Sequence, residues 1–213
     1  MYSAFMQYNE VLVTGAAGLA GQQVSRALIG QGSLPRLLVR LGSEGEVGAD
    51  IRERCRVTPG DPTDRESVEM GAQGTSAIVL LPEVWMEKPR RGTGFVEEHV
   101  HATANVLHAA SVWGIGRLIF VGAAGARPGD PDPYLDAMGR AEALVREGKL
   151  SWTVFRPAPL YDLRDGTLRV PAGYLEELAG AIAESVHRQD TVGRVYEAAS
   201  TDRFPWEKPA RVA

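Results

Sequence analysis

The run Val11-Leu12-Val13-Thr14-Gly15-Ala16-Ala17-Gly18-Leu19-Ala20-Gly21 constrains this chain more than any other stretch. A short apolar, β-branched segment ends in glycines at 15, 18 and 21, and an amphipathic segment from about Leu19 to Ile29 follows. Strand, glycine turn and helix in that order form the phosphate-binding element of a doubly wound α/β sheet. Gly15 is expected to turn the chain off the strand. Gly18 lets a pyrophosphate approach the backbone, and Gly21 lets the new helix lie close to the sheet. The N–H groups at the helix start, with the helix dipole, then face an anion. Thr14, Gly15, Ala17, Gly18, Leu19, Ala20 and Gly21 are therefore candidate cofactor contacts. The alternative is a tight strand–helix turn with no binding role.

The rest of the chain continues the alternation. Strands are expected at 11–15, 36–40, 56–58, 76–81, 117–121 and 152–156, with a further apolar run at 194–199. Helices are expected at about 19–29, 64–70, 95–113, 134–147 and 172–187, with Thr63 or Asp64 capping the second. The first helix turns Val24, Ala27 and Leu28 inward, with Gln22, Gln23 and Arg26 outward. The helix at 95–113 turns Val96, Val100, Thr103, Ala104 and Leu107 inward, and Leu41 to Gly48 reads as a mobile loop. Alternating strands and helices require a parallel Rossmann-type sheet with helices on both faces. Right-handed crossovers give the order 3-2-1-4-5-6, with a seventh strand to follow. Ligand belongs at the carboxyl ends of strands 1 and 4, where Gly15–Gly21, Leu81-Pro82 and Gly122-Ala123 all point. Residues 1–213 read as one domain, with a minimal substrate-side segment at about 157–190.

Charge and composition exclude several function classes. The formal net charge is -4, with both signs interspersed and no basic run, which argues against nucleic acid. The single cysteine, Cys55, permits no internal disulfide, and no Cys/His zinc spacing exists, so a reducing, cytoplasmic setting is expected. Cys55 reads as a small buried apolar residue. Met1 to Glu10 lacks the basic start and apolar run of a signal peptide, and no apolar segment is long enough to span a membrane. The outer faces of the helices at 95–113 and 134–147 could support a homodimer.

The end of strand two bears on the cofactor. There a carboxylate would bind the ribose hydroxyls of NAD, but the position holds Arg40, nineteen residues after Gly21. A guanidinium pairs with a 2′-phosphate, so NADP(H) is favoured over NAD(H); a solvated strand-end arginine is the alternative. Asp61, with Pro62 beside it, is placed to reach the adenine amino group, or else is a turn acid flanking a helix.

Thr14-Gly15-Ala16-Ala17-Gly18-Leu19-Ala20-Gly21 resembles the TGxxGxxG motif of extended and atypical short-chain dehydrogenase/reductases. Leu38-Val39-Arg40 and Gly60-Asp61-Pro62-Thr63-Asp64 are similar to the next two marks of that group. Asn105 to Ala110 with Arg117 to Val121 is similar to its fourth helix and fifth strand. Glu142 with Trp152-Thr153-Val154-Phe155-Arg156-Pro157 resembles its later AE…WTxxRP signature. The nearest subgroup is NmrA-like, and the resemblance runs from about residue 10 to 200. It implies an NAD(P)H-binding fold and an active site of a serine near the end of strand five with Tyr-x-x-x-Lys on the next helix.

The chain departs from that active site. Tyr134 matches the tyrosine, but Met138 stands at the lysine position, and Gly122 and Ala123 stand at the serine positions. Arg140 does not replace the lysine, because six residues along a helix it points roughly 120° away. Without a cationic neighbour Tyr134 is expected to keep a pKa near ~10. Its helix face also carries Ala137, Met138 and Ala141, a packing pattern, so Tyr134 reads either as the catalytic acid or as core.

Glu97, His101 and His108 share helical spacing, but a third close ligand and an HExxH pattern are missing, so no metal is expected. His187 stands at a helix end, where the dipole favours it. Ser25 and Ser111 lack a nucleophile elbow. Trp85 in the 82–94 loop, with Tyr161 and Arg164, are the expected walls of a small substrate pocket. Two functions fit. One is an NADP(H)-dependent reductase that passes hydride to a small carbonyl, quinone or flavin-type acceptor, mostly by orientation. The other is an NmrA-like sensor that reads NADP(H) for a protein partner. A scaffold with a vestigial cofactor turn is a third, disfavoured by the intact glycines and Arg40.

Overall fold

The computed structural model describes residues 9–82, 94–158 and 172–198. Seven strands form one parallel sheet: β1 (Glu10–Val13), β2 (Leu34–Val39), β3 (Arg56–Pro59), β4 (Ala77–Leu80), β5 (Arg117–Val121), β6 (Ser151–Arg156) and β7 (Arg194–Glu197). Their order is β3-β2-β1-β4-β5-β6-β7, the arrangement expected from the alternation. The central strands are nearly all apolar because helices cover both sheet faces. Period-two alternation divides them between two cores. Val11, Val13, Ile119 and Phe155 pack with Val24, Leu28, Leu178 and Ile182. Leu12, Ile78, Leu118 and Val154 face the other way, onto Val68, Val106, Met138 and Val145.

The first helical layer is thus α1 (Leu19–Gly30) beside α6 (Ala172–His187). The second holds α3 (Arg65–Ala72), α4 (Ala102–Trp113) and α5 (Pro133–Glu147). Local chemistry sets the ends. Asp64 caps α3 by accepting from the Ser67 N–H, and Asp132 caps α5 by accepting from the N–H groups of Tyr134 and Leu135, with Pro133 in the first turn. Among the described residues no helix is long and apolar enough to cross a membrane.

Two local expectations are corrected. The 41–48 stretch is built, not loose: a 3₁₀ turn spans Glu44–Glu46 and a short helix, α2, spans Ala49–Arg52. Gln22 and Arg26, expected in solvent, hold it. The Gln22 amide donates to the carbonyls of Ala17 (3.0 Å) and Glu46 (3.2 Å) and accepts from the Gly48 N–H (3.1 Å). Arg26 pairs with Asp50 at 2.7 Å. The long helix at 95–113 is not uniform either, since a π-helical segment, Val96–His101, leads into α4. The buried face is also not the expected one. His99, Ala102, Thr103, Val106, Ala109 and Ala110 are buried, while Ala104 is exposed and Val96, Val100 and Leu107 are only partly covered. Of the five residues expected inside, Thr103 alone is fully buried.

Candidate functional site

The three glycines occupy three different environments. Gly15 has φ +64, and a Cβ there would come within 2.9 Å of the Leu81 carbonyl oxygen. Gly21 is closed off completely: a Cβ would stand 2.1 Å from the Gly15 oxygen and 2.7 Å from the Ala16 Cα. Gly18 is exposed, and a Cβ there would meet nothing nearer than the Gly15 oxygen at 3.4 Å. The turn is therefore tight where it leaves the strand, tight where the helix meets it, and open in the middle. No side chain caps α1 at Gly18, so the first N–H groups of the helix, from Leu19, Ala20 and Gly21, face that open side. This is a cradle that fits a pyrophosphate.

Thr14 joins two strand ends. Fully buried, it receives the Leu81 N–H on its hydroxyl at 3.1 Å and donates to the Leu81 carbonyl at 3.3 Å. It thereby locks the ends of β1 and β4 together and places Leu81 and Pro82 beside the glycine turn. On the other side of β4, the Gly122 N–H donates to the Phe155 carbonyl (2.7 Å) and the Ala124 N–H to that of Pro157 (3.0 Å). That sets Gly122 and Ala123 at the end of β5 without a hydroxyl at either position. Trp85, Tyr161 and Arg164, the expected substrate walls, lie outside the described residues.

Arg40 stands just after β2, as expected, but engaged. Its guanidinium contacts the Glu98 carboxylate at 2.5 Å and lies 3.0 Å from Asp61. The two acids differ in depth: the Glu98 side chain is 5 % exposed and that of Asp61 41 %. Asp61 also turns its other oxygen onto the N–H and hydroxyl of Thr63, at 2.8 and 2.7 Å. Asn105 of α4 steadies this corner by donating to the carbonyls of Pro62 (3.1 Å) and Thr63 (2.9 Å).

Between these corners lies a small cleft, lined among others by Arg40, Leu81, Pro82, Glu98, His99 and Met138. Tyr134 packs at its α5 side, edge-on to Phe95 (5.4 Å) and to His99 (5.5 Å). Burial, and secondarily the Asp132 carboxylate, pushes its phenol up to about 12, above the ordinary value expected from the sequence. Met138 is fully buried and brings no charge to the phenol. Arg140 points outward and pairs with Asp136 at 3.6 Å. Among the described residues Tyr134 is thus set against aromatic and apolar groups, and none brings a cation to its phenol.

His99 was not singled out by the sequence, because the inward face was set from Val96 and Val100. The buried face instead runs through His99, Thr103, Val106 and Ala110 at regular helical spacing, and His99 is 4 % exposed. Glu97 accepts from the Gly94 N–H (3.1 Å), and His108 contacts Glu69 (2.9 Å). Among the described residues no three potential ligands gather around a metal position. His187 places Nε2 2.9 Å from the Ser33 hydroxyl. Cys55 is half-buried, and burial pushes its thiol up to about 11, which leaves it unreactive at neutral pH.

The AE…WTxxRP positions meet in space. Arg156 grips Glu142 with two parallel hydrogen bonds, of 2.7 and 2.8 Å, and reaches Glu197 at 2.9 Å. Glu197 in turn accepts from the Gly125 N–H at 2.9 Å. The pair therefore ties α5, β6 and β7 to the loop after β5, which carries Gly122 and Ala123.

Comparison with known proteins agrees with this geometry. A family model described as NAD(P)H-binding matches residues 15–201. No curated protein matches the chain. Among solved structures, a Bacillus halodurans protein assigned as an NAD-dependent epimerase/dehydratase superposes with a TM-score of 0.69 at 24% identity, covering 93% of this chain and 97% of its own. A short-chain dehydrogenase/reductase from Veillonella parvula gives 0.67 at 20% identity, covering 93% and 98%. UDP-glucose 4-epimerase from Thermus thermophilus, in complex with NAD, gives 0.65 at 17% identity, covering 88% and 76%. Such identities speak for the fold alone. The family match spans most of the chain and includes the glycine cradle, and the chain belongs to the NAD(P)H-binding family.

Proposed function

We propose that this protein is an NAD(P)H-dependent reductase of the atypical short-chain type, passing hydride to a small carbonyl, quinone or flavin-type acceptor. The observation that carries the reading is the contrast along the glycine turn: Gly21 sealed against Gly15, Gly18 open to the space in front of the helix. A turn kept only for packing needs Gly15 and Gly21 and has no use for an open Gly18. When bound, the cofactor supplies hydride. The chain's part is to hold the pyrophosphate at Gly15–Gly21, to place the adenosine end at Arg40, and to set the nicotinamide end by Leu81, Pro82, Gly122 and Ala123.

NADP(H) is the form we assign to the site. The deep carboxylate of Glu98 holds the Arg40 guanidinium in place, and the shallow one of Asp61 is the group a 2′-phosphate would replace. Titration of the purified protein with NADPH and NADH tests both statements. The reading predicts saturable binding with NADPH tighter, followed by NADPH oxidation in a screen of quinones, flavins and conjugated carbonyls. Failure to bind either nucleotide refutes it. Binding without turnover of any acceptor favours the second reading, an NADP(H) sensor, which the missing serine and lysine support.

A further inference from the structure

We propose that His99 is the proton donor of this site and that it fits the chain to an aldehyde or ketone acceptor. The assignment rests on the reductase reading above and deepens it. A carbonyl that accepts hydride at carbon gathers negative charge on oxygen and needs an acid at that oxygen. The positions from which such an acid would be expected do not provide one. Gly122 and Ala123 carry no hydroxyl, Met138 carries no charge, and Tyr134 is enclosed by Phe95 and His99.

His99 has the placement the others lack. It lines the cleft together with Leu81, Pro82, Val121 and Met138, at the carboxyl ends of β4 and β5 where the nicotinamide end is expected. Its ring is fixed between two aromatic neighbours: stacked on Phe95 at 6.0 Å and 13°, and edge-on to Tyr134 at 5.5 Å and 78°. Its backbone is fixed as well, since the Thr103 hydroxyl donates to the His99 carbonyl at 2.6 Å. The preceding residue, Glu98, is drawn to the opposite end of the cleft by Arg40. Two adjacent residues of one π-helical turn are thus anchored at the two ends of the same cleft. π-helical turns inside α-helices concentrate at functional sites. Among the described residues, the ionisable side chain against the imidazole is Tyr134 from α5, while Glu98, Arg40 and Asp61 meet one another toward the other end of the cleft. The walls contributed by β4 and β5 are apolar.

The step balances simply. As hydride arrives at the carbonyl carbon, the π pair of the C=O bond moves onto oxygen. An N–H bond of the protonated His99 ring breaks and an O–H bond forms. The alcohol leaves, and the neutral imidazole takes a proton from water. An imidazole is by its ordinary chemistry a better matched acid than a phenol for this step.

The test combines a spectroscopic and a kinetic reading. The His99 ring signals, assigned through the backbone in isotopically labelled wild-type protein, are followed by NMR during titration with NADP⁺. In parallel, His99→Gln and the smaller His99→Asn are compared with wild type for NADPH affinity and for NADPH-dependent reduction of 4-nitrobenzaldehyde between pH 5 and 9. We expect the His99 signals to move with NADP⁺ while those of His101 and His108 stay. NADPH affinity should change by less than about twofold in the folded variants, while turnover falls about 100-fold. The alkaline decline of the wild-type rate should be absent from the variant. His99 signals indifferent to NADP⁺, or a variant that reduces the aldehyde within about threefold of wild type, would overturn the assignment. If wild type reduces menadione but never the aldehyde, the assignment falls and the reductase reading stands. If NADPH does not bind at all, both fall.

Discussion

Glu142 on α5 and Arg156 on β6 meet in a two-point hydrogen-bonded pair, with the glutamate side chain only 3 % exposed. Two residues fourteen positions apart thereby fasten a helix to the sheet beneath it, and through Glu197 they fasten the loop after β5 as well. Removing one member leaves the other charge poorly compensated. Glu142→Ala should lower stability by about 3 kcal/mol in urea denaturation. Glu197→Gln should cost far less, because Arg156 keeps Glu142. Equal losses in the two variants would contradict this division.

The glycine turn separates folding from binding. Gly21→Ala places a methyl against backbone and should cost about 3 kcal/mol of stability. Gly18→Leu meets open space at an ordinary φ of -69° and should fold normally. It should nevertheless weaken NADPH binding at least about tenfold, because the side chain occupies the phosphate's approach. Thermal melts and nucleotide titrations of the two variants check the contrast.

Arg40 and Asp61 should control the choice between the two dinucleotides. Arg40→Gln is expected to weaken NADPH about tenfold more than NADH, the loss of one charge-assisted contact to a phosphate. Asp61→Asn should act in the opposite direction, tightening NADPH several-fold by removing a competing anion, with little change for NADH. Measured as the ratio of the two dissociation constants, both effects are insensitive to small losses of stability. Parallel changes for NADPH and NADH would remove the 2′-phosphate from this corner.

Tyr134 makes a prediction in alkali. Its phenol is pushed up to about 12, whereas an unfolded tyrosine ionises near 10.0. Between these values the folded protein keeps a proton that the unfolded chain has lost. The associated stabilisation is complete below about pH 10 and disappears as pH rises toward about 12. A phenolate absorbance titration should show a late step that Tyr134→Phe removes. Ionisation of Tyr134 near its ordinary value would show the phenol to be wetter than its ring contacts indicate.

What the sequence disclosed, and what it hid, follows from the range of the forces involved. Strand order was legible because alternating apolar strands and amphipathic helices leave few chain paths. The roles of Gly15 and Gly21 were legible because a local turn demands them. The Glu142–Arg156 pair was marked by a motif, though the motif did not say that the two residues touch. Arg40 was placed correctly at the end of β2, but its partner Glu98 is 58 residues away and no local pattern joins them. Gln22 looks like a solvated helix residue until the 44–48 segment folds over it. His99 was hidden because Val96 and Val100 drew the inward face to themselves, whereas the buried face runs one residue away through His99, Thr103 and Val106.

The π-helical turn before α4 also decides what a change of chain length would do. Each residue of an α-helix advances the next by about 100°, so a residue lost from the regular part of α4 rotates everything before it by that amount. Glu98 would swing away from Arg40 and His99 away from Met138 together, although neither residue had been changed. The span Val96–His101 is where the helix can absorb such a loss, because an i→i+5 turn holds one residue more than an i→i+4 turn. A single-residue deletion in α4 should therefore do more harm than one within that span.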